Sequence, residues 1–390
     1  MPEYAPTACV DRKAGSSGIF PTCLAWKALE VAFFCTLVAS SVYGHWTVYL
    51  KVGDHHPSER ATTSRATYTW MMPALTVAIC THNPRKDYLE RTLSSLAAQD
   101  LDRQLWELLI IDNASNNEVC SSVDLSWHPS ARLIREERLG LTPARLRAIE
   151  ECQGALILFV DDDNVLQNDY LKVALDLADR YPVLGVFGSG RIEPEYEETP
   201  DPQLVEFLHM LALRTVQNPH WSNDPMDGIV PWGAGMVVQR AVAERYHAVI
   251  MADPLKQRLD RTGNTLNSCG DDEFSWVATE MGLGKGIFPE LKVLHLINKS
   301  RSQRDYLLRL TEGHAFSRTF LRHLHGLKVS RPEAPPSLAI TLWALLRLRI
   351  SEGSYEAQRL VLAVRQSATA RDFGSARRKG IERFFNTIHG

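Results

Sequence analysis

The sequence predicts an α/β domain on a doubly wound, mostly parallel sheet with helices on both faces, followed by a helical C-terminal extension. Three observations carry this. Short, uninterrupted apolar runs recur between residues 75 and 160, as in strands buried on both faces. Amphipathic segments alternate with those runs. Polar groups follow the runs: Thr81, His82 and Asn83, then Asp112 and Asn113, then Asp161 to Asn164. Doubly wound sheets bind ligands beyond the carboxyl ends of their strands, so these scattered groups become one expected cleft.

The elements follow in order. Residues 75–80 read as the first strand. Residues 87–98 have helical spacing, with Leu89, Leu93 and Leu96 on one face. Residues 106–111 and 131–135 are further apolar runs. Residues 143–152 read as a helix with Pro143 in its first turn. Residues 155–160 form the most hydrophobic strand and end in three aspartates. Residues 170–180 read as another helix. Beyond Gly185 the pattern is less regular. Residues 194–202 are acidic and turn-rich, as in a surface loop, and 204–216 look helical. Residues 228–239 lead from a glycine-rich turn into a strand-like run. Residues 268–281 become helical, and 287–297 are mostly apolar. From residue 335 to the end there are nine Lys/Arg against four Asp/Glu, on a helical pattern.

Composition narrows the class. The chain has 390 residues, 45% of them hydrophobic, enough for one large domain with appendages. A formal net charge of -3 gives no basic field for nucleic acid. The 7 cysteines are irregularly spaced, with no CxxC or Cys/His cluster, which speaks for a reducing, cytoplasmic compartment. The expected division is an N-terminal extension over 1–72, a catalytic domain over 73–330 and a basic helical extension over 331–390. The apolar stretch at 31–42 is shorter than a spanning helix needs. It reads as a weak membrane anchor or as part of a poorly structured extension, and Met71 and Met72 offer an alternative translation start. The tail, with Trp343, Leu345, Leu346 and Leu348, reads as a helical pair packed on the main domain. The competing reading lays it on the anionic inner face of a membrane.

The chemistry-bearing residues are mostly acidic. Adjacent carboxylates at Asp161, Asp162 and Asp163 repel one another unless a cation or donors compensate. Residues i and i+2 share a side at a strand end, so Asp161 and Asp163 converge while Asp162 points away. Such a pair, with diphosphate oxygens, suits Mg²⁺ or Mn²⁺; the bland alternative is a solvated turn. Asp112 could accept from a base or ribose, or cap its own turn with Asn113 and Ser115. Arg145 sits at a loop–helix junction, placed for a nucleotide phosphate or a surface ion pair. Asp271, Asp272 and Glu273 form a second acidic cluster, suited to a general base or to a helix N-terminus. His295 is a lone histidine, and Arg301 and Arg304 follow within one loop.

Taken in order, these pieces resemble the family 2 glycosyltransferases of the GT-A fold. The carrying segments are LTVAICTHNP (75–84), ELLIIDNAS (107–115), RLGLTPARLRA (138–148), LILFVDDDN (156–164), WGAGMVV (232–238), GDDEFSW (270–276) and LHLINKSR (294–301). The resemblance spans roughly residues 74 to 325. It implies that Thr81, Asn83, Asp112, Arg145, Asp161 and Arg301 bind the nucleotide sugar. It matches Asp161 and Asp163 to a DxD motif, with Asp163 the direct ligand of a divalent cation (Mn²⁺ or Mg²⁺) and His295 joining them. It makes Asp272 the catalytic base, with Asp271 beside it where glutamate is common. It sets Trp232 and Gly233 where acceptor contacts are expected, although an aromatic there also suits core packing. The implied reaction is an inverting transfer from a nucleotide-diphosphate donor to a carbohydrate or lipid-linked hydroxyl, in polysaccharide or glycoconjugate synthesis. The alternatives are a nucleotidyltransferase that makes nucleotide sugars and a non-catalytic sugar-binding relative. The first would carry a glycine-rich phosphate loop after the first strand, where this chain has THNPRK.

Overall fold

A computed structural model describes residues 39–42, 45–48, 73–117, 119–332 and 354–389. Strands β1 (Ala39–Val42) and β2 (His45–Val48) form a separate two-stranded sheet. All later elements lie in the larger unit that holds Trp70–Gly390. The remainder of the N-terminal extension, Met71, Met72 and the four apolar residues at 343–348 fall outside the described residues.

The parallel half of the main sheet comes first in the chain. Strand β3 (Leu75–Thr81) lies between β4 (Trp106–Asn113) and β6 (Leu156–Val160), and β5 (Ala131–Glu136) flanks β4, all parallel. Every residue of β4 and β6 is buried, which is why these strands read as continuous apolar runs. Their side chains divide by parity. Val77, Ile79, Leu108, Ile110, Leu158 and Val160 join a core with Leu89, Leu93 and Leu96 of α1 (Lys86–Ala97) and with α4 (Tyr170–Arg180). Ala78, Leu109, Ile111, Ile157 and Phe159 join the opposite core with α3 (Leu141–Glu151), α5 (Arg240–Ala252) and α6 (Gly270–Glu280). Helices therefore cover both faces, as the sequence predicts.

The second half is mixed. The sheet order is β10-β12-β8-β11-β6-β3-β4-β5. Strand β11 (Met236–Gln239) runs antiparallel to both neighbours, β6 and β8 (Leu184–Tyr196). Strand β12 (Gly284–Ile297) is parallel to β8 and also pairs with β7 (Asn164–Leu166) and β10 (His220–Ser222). Two expectations need correction. Residues 194–196 belong to β8 rather than to a surface loop, because the partner strand β12 continues alongside them to Ile297. Residues 204–216 are not one helix. A 3₁₀ segment over Pro202–Leu211 stops at Ala212, whose left-handed φ of 57° breaks the helical path, and β9 (Arg214–Thr215) follows on β8.

Helix α7 (Arg304–Leu324) is covered by α8 (Ser354–His389). Phe373 of α8 stacks on Phe207 with centroids 3.6 Å apart, and Arg383 donates to Asn267 at 3.0 Å. A β-carbon on Gly380 would lie 2.2 Å from the Glu312 carbonyl, so the two helices touch at backbone distance there. This part of the tail is packed on the domain. Among the described residues no helix is long and apolar enough to cross a membrane. A short α2 (Val119–Ser122) completes the set.

Candidate active site

The three aspartates form a turn rather than a strand extension. It links β6 to β7 and is closed by the Asn164 amide donating to the Asp161 carbonyl at 3.2 Å. Leu296 N–H donates to the Asp163 carbonyl at 2.8 Å, and the Thr92 hydroxyl to that of Asp162 at 3.1 Å, so β12 and α1 fix the turn. The carboxyl of Asp162 turns to β3, where the Thr81 hydroxyl donates to it. Burial, then the charge of Asp163, pushes Asp162 up to about 7. Asp162 is therefore a bonded partner of Thr81 and not a bare spacer.

Asp161 and Asp163 sit in contrasting settings. Burial opposes ionisation of Asp163, but His295 and Arg301 outweigh it and hold this carboxyl below the usual range. Arg301 Nη1 lies 2.5 Å from Asp163 Oδ2, and His295 Nε2 lies 3.4 Å from the same oxygen. Burial and then Asp163 raise Asp161, whose carboxylate has no hydrogen bond or ion pair among the described residues.

A second acidic layer comes from the start of α6. Asp271 is held from two sides: Arg145 Nη2 at 2.5 Å from Oδ1, and the Gly233 amide at 2.9 Å from Oδ2. Arg145 also pairs with Asp260 at 2.9 Å, and Asp260 accepts from the Gly270 amide at 2.9 Å. The sequence expectation put Arg145 on a nucleotide phosphate. The structure places its buried guanidinium between these two carboxylates and within 6.0 Å of the rings of Phe159 and Phe274. Asp272, next along the chain, makes no such ion pair. Burial, then the charge of Asp271, raises it to about 6, with Arg318 the leading opposing charge. Of the two expected catalytic acids, one is thus tied down and the other is left with a proton affinity suited to base catalysis.

Glycine is required at the junction. A β-carbon on Gly233 would sit 2.7 Å from Arg145 Nη2 and 3.6 Å from the nearest oxygens of Asp161 and Asp271. We therefore expect Gly233→Ala to displace the Arg145–Asp271 pair and lower kcat by about a hundredfold. An unchanged kcat in steady-state assays would show that this pair's position is immaterial.

The far side of the cleft lies at the ends of β3, β4 and β5. Asp112 accepts from the Ser115 amide at 3.2 Å and from Arg135 Nη1 at 2.7 Å. Burial opposes its ionisation, yet Ser115 and Arg135 outweigh it and hold its carboxyl low. Asn83, at φ 49°, receives the Asn116 amide at 2.7 Å and donates its own amide to Ser115 Oγ at 2.8 Å. A cavity of about 420 Å³ opens beside them, lined by Asp112, Ser115, Asn116, Leu133 and Arg135 among others. That size suits a small organic ligand.

Trp232, expected at the acceptor, is covered on one ring face by Arg214, whose Cζ lies 3.5 Å from the ring centroid. Sequence reasoning missed Asp260, Arg135 and Arg214. Arg135 ends a strand, so the strand-end rule contained its signal. Nothing local marks Asp260 or Arg214.

The residues present suit a divalent cation. Six carboxylates (Asp161, Asp162, Asp163, Asp260, Asp271, Asp272) gather here, and the guanidiniums that pair with them are Arg145 and Arg301. The set is short of positive charge, and its oxygen donors are hard. Among the described residues no three such side chains converge on one point as they stand. Arg301 holds Asp163.

Residues 76–238 match the family model described as glycosyl transferase family 2. The poly(ribitol-phosphate) β-N-acetylglucosaminyltransferase TarS of Staphylococcus aureus is 26% identical over 138 residues, 33% of this chain and 24% of that protein. An N-acetylglucosaminyltransferase of Bradyrhizobium diazoefficiens is 25% identical over 146 residues, 36% of this chain and 30% of that protein. The chain thus matches about a quarter to a third of the length of these relatives. The mannosyltransferase PcManGT from Pyrobaculum calidifontis superimposes with a TM-score of 0.52 at 16% identity, covering 80% of this chain and 87% of that one. The fold is of the GT-A type. The segment similar to glycosyl transferase family 2 runs from β3 through β11 and holds most of the cleft just described.

Proposed function

We propose that the protein moves a sugar from a nucleotide-diphosphate donor to a hydroxyl of a carbohydrate or lipid-linked acceptor, with inversion, in polysaccharide or glycoconjugate synthesis. One observation supports this above the others: Asp271 is pinned by Arg145 and Gly233, while Asp272 beside it has no ion pair, meets only the Cys269 thiol and is raised to about 6. That leaves one acid free to take a proton next to a carboxylate-lined donor site. The names of the sequence relatives make nucleotide-activated N-acetylglucosamine the first donor to test.

In this reading the nucleoside lies by Asp112 and Arg135, with Thr81 and Asn83 shaping the loop above it. Asp161, Asp163 and His295 would hold a divalent cation, Mn²⁺ or Mg²⁺. When bound, that ion supplies positive charge to the leaving diphosphate. Arg301 adds a guanidinium at the same edge and keeps Asp163 ionised. Asp272 accepts the proton of the acceptor hydroxyl as that oxygen attacks the anomeric carbon. Arg145 acts through Asp271 and is a positioning residue. Trp232 and Gly233 border the acceptor side.

The test is a panel of nucleotide sugars read by thermal shift, with Mn²⁺ or Mg²⁺. A ligand that binds the folded state raises apparent stability. We expect one donor to raise the melting temperature by several degrees only when the cation is present. Asp163→Ala should remove the cation-dependent part. No shift with any donor, together with no release of nucleoside diphosphate, would sink the reading.

A further inference from the structure

The inference concerns Arg214 and rests on the transfer reading above. Arg214 is half-buried on β9, and its Cζ sits over the Trp232 ring, 3.5 Å from the centroid. Its Nη2 donates to the Val230 carbonyl at 2.9 Å. Its Nη1 is buried and has no hydrogen-bond partner, and no carboxylate pairs with it among the described residues. A desolvated guanidinium with an idle donor is costly unless something completes it. Arg145, Arg301 and Arg135 each pair with a carboxylate of the cleft, although Arg301 Nε is also without a partner.

Position says what completes it. The nucleotide end of the cleft is at β4 and β5, and the acid turn follows β6. Arg214 and Trp232 lie on the opposite side, beside β8 and at the approach to β11. Trp232 is the chain neighbour of Gly233, whose amide holds Asp271. A group that reaches Arg214 has therefore passed the transferred sugar. We infer that the acceptor carries an anion, a phosphate or a carboxylate close to the attacked hydroxyl, and that Arg214 on Trp232 is its receptor. With Cζ over the ring and Nη2 on the Val230 carbonyl, Nη1 is the donor left for such a group.

Two further cations lie near the acidic cluster: Arg318 on α7, whose charge bears on Asp272, and Arg261, whose charge bears on Asp260 and Asp163. Neither has a carboxylate partner within ion-pair distance among the described residues.

The test uses the full chain loaded with Mn²⁺ and the nucleoside diphosphate selected by the donor panel. Methyl glucoside, its 6-phosphate and methyl glucuronide are titrated by calorimetry and then offered as acceptors. We expect at least one anionic form to bind about tenfold tighter or more than the neutral glycoside. Arg214→Gln should erase that preference, and Arg214→Lys should keep part of it. Circular dichroism melts establish that both variants fold. Equal binding of neutral and anionic forms by the wild type overturns the inference, as does equal loss for both forms in Arg214→Gln, which would make Arg214 a support for Trp232 alone. A charge preference that follows the donor sugar and not the acceptor also overturns it. If no donor in the panel binds, the transfer reading fails first, and that result is separate from the others.

Discussion

Asp272→Asn is expected to lower kcat by about three orders of magnitude while the donor dissociation constant stays within about twofold. Amide replaces carboxylate at the same volume, so the proton acceptor is lost and the donor contacts remain. Release of nucleoside diphosphate on adding acceptor measures the first, and calorimetry the second. Wild-type turnover by this variant would remove the base assignment. The pH profile adds an independent check. A base works only when ionised, and Asp272 is raised to about 6, so kcat/KM should climb as pH rises through about 6 and then level. The leading charge that lowers this value is Arg318, so Arg318→Gln should move the limb to higher pH. Stability should run the other way. A carboxyl whose folded pKa lies above its unfolded value contributes stability at low pH that is lost as pH rises toward the folded pKa. Asp272→Asn should therefore gain roughly 1–3 kcal/mol over the wild type at pH 7.5, and little at pH 4.

The second large effect belongs to Arg145. Arg145→Met should cost roughly 3–5 kcal/mol in urea unfolding, because it leaves buried Asp260 and its neighbour Asp271 without their shared cation. The same substitution should lower kcat at temperatures where the variant is fully folded, since Asp271 loses one of its two anchors. Burial already raises Asp260, with Arg145 the leading opposing charge. Without Arg145 that upward push is unopposed, so the deficit should shrink as pH falls and Asp260 takes up a proton. Adding Asp260→Asn should recover part of the lost stability at pH 7.5. Additive losses in the double variant would show that the two side chains are not energetically coupled.

How much of this was legible in the sequence depended on how local the signal is. The parallel half was read almost to the residue, because strands buried on both faces must be apolar throughout, as β4 and β6 are. The strand-end rule found Thr81, Asp112 and Asp161 to Asp163 for the same reason. It misjudged Asp162, whose carboxyl bonds to Thr81 across a turn that strand alternation does not describe. Residues 204–216 look helical by periodicity, yet a left-handed Ala212 divides them, and alanine gives no warning of that. Asp260 was invisible. It lies in an irregular segment and matters only because α3 and α6 bring Arg145 and Gly270 to it. Arg214 was hidden likewise, since it lies on the two-residue strand β9 inside a segment whose periodicity looks helical.

The antiparallel strand β11 has a consequence for the assembly of the molecule. Met236 pairs with Phe159 across more than seventy intervening residues, a span close to the one that β3 crosses to meet β6. Loop-closure cost grows slowly with length, so the two pairings face similar barriers. Gly233, only three positions ahead of Met236, holds Asp271 through its amide. A chain in which β11 has not closed lacks that contact, and the appearance of activity during refolding should report the closure of β11.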